Sequence, residues 1–270
     1  MLRSRNVENL STVPLGRAAL VFLLLCGAAT WAQAQERPEE KPDVKSLILP
    51  PGDTEGLKLL EPESQVWLDQ EKKRLVMAGR ICLREGQLEM FACLAGTKEH
   101  ESVVAVEAKA YVVHAALLAC GAEAGKPVQF QPTFRPASGT EVAIDIYWRD
   151  KQGELQTAKA QDWVRDIRTQ KEMTQNWVFA GSGFWTDDKT GQKFYLAEDG
   201  DFICVSNFAS AMLDLPTESS QSAGSLLFEA FKDRIPEQGT PVTMVLTPKV
   251  EKNKDAAKKP VKKPVTKPAS

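Results

Sequence analysis

Leu75, Met77, Ile81 and Leu83 fall on one parity, with Arg74 and Arg80 on the other. This is the two-residue period of a half-buried strand, and it predicts one over Arg74–Leu83. Leu88–Leu94 and Ser102–Ala108 continue in the same style. The second is apolar nearly throughout, as expected for a central strand. The pattern then changes: Lys109–Cys120 is rich in Ala and Leu, holds no Pro or Gly, and stops at Gly121. It predicts a helix that is apolar almost all round and buried against the sheet, ended by a left-handed glycine. Period two returns with Val142, Ile144, Ile146 and Trp148, set against Glu141, Asp145 and Arg149, and a turn at Asp150–Gly153 leads into Glu154–Ala160. Asn176–Trp185, Lys193–Leu196 and Phe202–Ser206 read as a meander with turns at Asp187–Gly191 and Asp199–Gly200. Ser225–Lys232 reads as a short amphipathic helix and Pro241–Thr247 as a last strand. The expected fold is a β-rich α+β single domain over residues 64–248, largely antiparallel hairpins and meander, with a buried helix near 109–120 and a short second helix near 225–232.

The flanks have other compositions. Residues 35–63 are rich in Pro and Glu and read as an extended linker. Residues 249–270 interleave Lys, Pro and Ala without an aromatic and read as a disordered tail. At the other end Arg3, Arg5 and Arg17 precede the apolar run Ala18–Ala29, which closes on Ala32-Gln33-Ala34. That is the three-part pattern of a secretory signal over residues 1–34, with cleavage expected after Ala34 and no membrane span left afterwards. An exported location follows, periplasmic or secreted. Net charge is +2 over residues 1–34, −10 over 35–248 and +6 over 249–270. An acidic body disfavours nucleic acid, and the basic tail suits anionic surfaces.

Export puts Cys82, Cys93, Cys120 and Cys204 in an oxidising compartment, where four cysteines allow three pairings. If Arg74–Leu83 and Leu88–Leu94 form a hairpin about Glu85-Gly86, Cys82 and Cys93 lie roughly 13 Å apart, too far for a bridge. Buried free thiols that act as small hydrophobes fit the sequence as well as disulfides do. The spacing has no short C-x2-C step, so an iron–sulfur cluster is not supported.

The least ordinary polar stretch is Thr97-Lys98-Glu99-His100-Glu101-Ser102. Lys98, Glu99, His100, Glu101 and Ser102 form a candidate ligand or partner loop. His100 and Glu101, joined by His114 from the helix, form a candidate transition-metal set or an acid/base group. Against this, no HExxH or His-x-His spacing is present, and His114 lies among apolar neighbours as a core histidine would. Gly181-Ser182-Gly183 lacks the nucleophile-elbow pattern. The acidic turns Asp187-Asp188 and Glu198–Asp201 lack the ligand order of a calcium loop.

Four ordered segments, Ile81–Gly86 with Leu88–Phe91, Gly96–Ser102, Trp177–Phe184 and Asp201–Phe208, resemble the YdjY-domain proteins over about residues 60–248. These are exported bacterial proteins with many planctomycete members. The resemblance implies one exported domain and brings no established activity. Some relatives carry a ferredoxin-like label, from which the cysteine spacing here departs. The expected function is a non-catalytic exported binding domain for a protein or envelope-polymer partner. The competing reading is a metal-dependent or acid/base envelope hydrolase built on His100, Glu101 and His114.

Overall fold

The computed structural model describes residues 43–220 and 226–250. The expected signal segment, residues 35–42 of the expected linker and residues 251–270 of the tail lie outside them. In chain order the elements that build the body are β1 (Lys58–Glu61), β2 (Ser64–Asp69), β3 (Arg74–Ile81), β4 (Met90–Leu94), β5 (Ser102–Val106) and α1 (Ala110–Ala119). After these come β6 (Glu141–Arg149), β7 (Leu155–Lys159), β8 (Trp177–Phe179), β9 (Phe184–Thr186), β10 (Lys193–Tyr195), β11 (Ile203–Cys204), β12 (Leu213–Asp214) and β13 (Pro241–Pro248).

Eight strands close on themselves in the order β3-β13-β6-β8-β12-β11-β4-β5, and β5 returns to β3 through Gly79↔Val106, Arg80↔Ala105 and Ile81↔Val104. The domain is β-rich, as expected, and among the described residues it carries one α-helix, but it is a closed barrel rather than a meander of hairpins. Two of the pairings, β4 with β5 and β11 with β12, are parallel. The expected hairpin between β3 and β4 does not form, because β5 lies between them. Closure satisfies the backbone groups that an open sheet leaves at its edges. The interior is filled by Leu75, Met77, Phe91, Val104, Ile144, Trp177, Phe179, Met244 and Leu246, all at most 1% exposed.

Three further expectations need correction. The second helix does not exist over its described part: Phe228–Ala230 is a strand paired with Val164–Asp166. Phe228 and Ala230 are buried with Glu229 between them, so period two has overridden a stretch that also fits helical spacing. The expected linker is not free chain over residues 43–63. Leu47 and Leu49 are buried against Trp67, Val76 and Val245, Ile48 N–H donates to Thr243 Oγ1 at 2.7 Å, and β1 pairs with β2. Helix α1 forms where expected and ends at Gly121 with φ +91°, but Tyr111, Ala115 and Leu118 face solvent while Val112, Val113, Ala116 and Leu117 enter the core. Among the described residues no helix is long and apolar enough to cross a membrane.

Candidate functional site

The loop between β4 and β5 is pinned at both ends. Thr97 N–H bonds Leu94 O, Ser102 Oγ donates to Lys98 O at 2.7 Å, and Glu99–Glu101 forms one tight turn. Glu99 accepts from Gly96 N–H at 2.8 Å and from Arg80 at 2.7 Å. Lys98 therefore points away from Glu99, toward the segment after β10. Its ammonium donates to Asp201 Oδ1 at 2.7 Å, lies 3.8 Å from Glu101 Oε1, and sits 5.1 Å from the centre of the Phe208 ring. Ser210 Oγ donates to the other Asp201 oxygen. The approach depends on Gly200, at φ +109°, where a Cβ would stand 2.7 Å from Thr97 Oγ1.

Charge is crowded here. Burial is the largest single influence on Lys98 and works against its charge, but the hydrogen bond to Asp201 and the charges of Asp201 and Glu101 together outweigh it and raise the lysine pKa. Burial, and then the Glu101 charge, raise the pKa of Glu89. One strand away, Asp214 is fully buried and its pKa is pushed up to about 7 by burial, even though Asn207 and the Leu215 N–H bond Oδ1. Its Oδ2 has no protein partner.

The two histidines do not converge. His100 is a surface residue with 79% of its side chain exposed, 3.8 Å from Glu101. The His114 Nδ1 lies 2.8 Å from Tyr195 Oη, its ring meets the edge of Phe179, and burial lowers its pKa. Among the described residues no group of three or more His, Cys, Asp or Glu stands in metal-holding proximity. The set His100, Glu101 and His114 is thus replaced by a Lys98–Asp201–Glu101 arrangement. Ser182, at φ +56°, donates its hydroxyl to Ser210 O at 2.5 Å.

Next to that cluster, joined to it through Leu196–Asp199 and Gly200, stands the hairpin β9–β10. Phe184, Trp185 and Phe194 are 66%, 53% and 42% exposed, on strands that pair only with each other. Trp185 and Phe194 lie across the hairpin from one another with ring centres 5.3 Å apart, and on its other face Phe184 meets Tyr195 at 5.2 Å. Trp185, Phe194, Tyr195, Leu196, Glu198 and Asp199 line an open groove of about 410 Å3. Glu198 is fixed by the Tyr111 N–H at the start of α1. The hairpin itself was legible in sequence, but its exposure was not. Two adjacent aromatics beside Asp-Asp-Lys-Thr-Gly were the available signal.

Fold and site together define a closed eight-stranded barrel with a half-buried ion-pair cluster and an aromatic hairpin standing off its wall. The YdjY domain family model matches residues 66–247, and the chain belongs to that family. Neither curated proteins nor solved structures match it.

Proposed function

We propose that this is an exported, non-catalytic binding domain for a carbohydrate polymer of the cell envelope. The observation that carries this reading is the groove beside β9–β10, where exposed Trp185 and Phe194 stand next to Glu198 and Asp199. Flat aromatic faces stack on the apolar C–H faces of sugars, and carboxylates accept hydrogen bonds from their hydroxyls. Exposed aromatics gathered on one element mark an interaction site, since leaving them in water costs free energy that a ligand recovers. The signal pattern of residues 1–34 supports export. The Lys98 loop supports the binding reading in another way: Lys98 is paired with Asp201 and Glu99 with Arg80, and His100, beside Glu101, is a surface residue rather than part of a pocket.

The test is affinity electrophoresis of the mature chain, residues 35–270, through gels containing purified peptidoglycan fragments, chitin oligomers or β-glucan. Tryptophan fluorescence would be titrated in parallel. Retardation by at least one polymer, abolished by Trp185→Ala with Phe194→Ala, is the expected result. Free migration through every polymer, with self-association or peptide binding that depends on the same two residues, would replace the glycan by a protein partner.

A further inference from the structure

Three strand ends meet at one mouth of the barrel. β3 and β6 both run antiparallel to β13, so the end of β3, the end of β6 and the start of β13 lie together. Ile81 N–H bonds Thr240 O and Gly239 N–H bonds Ile81 O, which ties the chain after β3 to the chain before β13. A cavity of about 280 Å3 opens here, walled in part by Arg84, Trp148, Arg149, Lys151, Glu237 and Thr240, and it shares no residue with the groove beside β9–β10. Barrel mouths are a recurrent place for small-molecule sites.

The charges around this cavity are unevenly matched. Elsewhere on the acidic body, Arg74, Arg80, Arg165, Arg168 and Arg234 each bond a carboxylate at 3.1 Å or less. Arg84 and Arg149 have no carboxylate partner among the described residues, and both line the same cavity. Half-buried Arg84 donates from Nη2 to Lys232 O and to Ile235 O, each at 3.2 Å, and its Nε is buried with no acceptor. Arg149 donates from Nη1 to Gly153 O at 2.9 Å. The carboxylates of the cavity wall are engaged by other groups. Glu237 is held by Lys151 at 2.7 Å, and Asp150 accepts from the N–H groups of Gln152 and Glu154 and from Gln156 Nε2. Two guanidiniums, each fixed by main-chain carbonyls, therefore present uncompensated charge to one recess. An apolar wall completes it: Trp148, whose ring packs against Trp163 with centres 5.1 Å apart.

We propose that this mouth of the barrel binds a small oxyanion, a carboxylate or phosphoryl group carried on a compact body that lies against Trp148. The planar fork of a guanidinium matches the paired oxygens of such a group, and the bonds it makes are charge-assisted. A half-buried cation without a counter-charge is disfavoured, so an anion seated beside it relieves that cost. The cavity is near the lower edge of the size range of ligand sites, which suits a small molecule and not a polymer. The glycan reading rests on other residues, and neither inference needs the other.

Ligand-detected NMR on the mature chain, residues 35–270, tests this at low ionic strength, where screening is weak. The probes are benzoate, its uncharged analogue benzamide, and inorganic phosphate. At least one of the two anions should bind and benzamide should not, and the tighter anion identifies which oxyanion the site takes. Arg84→Gln and Arg149→Gln should each weaken that binding about tenfold or more, the effect of losing one charge-assisted bond. Any binding of anions by the Lys-rich tail is common to parent and variants, so the difference between them reads the mouth alone. Arg149 is exposed and bonds Gly153 O, so its variant decides the matter even if Arg84→Gln fails to fold. The proposal is overturned if neither anion binds, if benzamide binds as well as benzoate, or if folded Arg149→Gln binds as tightly as the parent.

Discussion

Asp214 is an acid held where its charge is unwelcome. Its value in the folded chain is about 7, while an unfolded aspartate titrates near 3.9. Between those pH values the folded chain keeps a proton that the unfolded chain has released. The stabilisation tied to that proton is complete below about pH 4 and is lost as pH rises through about 7. Asp214→Asn preserves the acceptor used by Asn207 and the Leu215 N–H and cannot ionise. Urea unfolding should show the variant more stable than the parent by about 1–3 kcal/mol at pH 8, with the difference vanishing near pH 4. An equal gain at both pH values would assign the effect to packing instead. Gly200→Ala tests the approach of the Lys98 loop. A Cβ 2.7 Å from Thr97 Oγ1, on backbone at φ +109°, should cost about 1–3 kcal/mol and loosen the bond from Lys98 to Asp201, read as a lower thermal midpoint. At this scale the sequence pointed to the loop and hid its partners. Lys98, Glu99 and Glu101 stand out as a polar cluster just before an apolar strand. Asp201 lies 103 positions away in what reads as an ordinary acidic turn, and nothing local marks the pairing.

Elements built on strict alternation were legible, and those whose form depends on neighbours were not. The strands over 74–81 and 141–149 each match a period-two stretch, 102–106 matches an apolar run, and 241–248 matches the expected last strand. The expected strand Asn176–Trp185 is broken in two because Gly181 and Ser182 both adopt positive φ. That turn sends Phe184 and Trp185 out of the barrel wall. The hairpin it launches has little to do with holding the body together, so Trp185→Ala with Phe194→Ala should move stability by no more than about 0.5 kcal/mol. A large loss in chemical denaturation would reassign these aromatics to the core. The segment before β1 behaves in the opposite way. Leu47 and Leu49 cover Trp67, Val76 and Val245, and Leu→Ala at either position should cost about 2 kcal/mol. Its Pro-rich composition disguised it as a linker, because two buried leucines in an irregular strap have no periodicity to read.

For the whole molecule, barrel closure was beyond sequence reading, since it depends on pairings between remote strands such as β3 with β5 and β11 with β4. The strand content was visible and the order of strands was not. Order is set by which apolar faces meet, and several orders share one pattern of alternation. The last strand, β13, lies between β3 and β6, with Met244 beside Met77 on one side and Ile146 on the other. A chain made from its N-terminus therefore carries an unfillable gap through its middle until residue 248 has been added. No earlier stretch can complete the barrel, so its closure waits for the last strand.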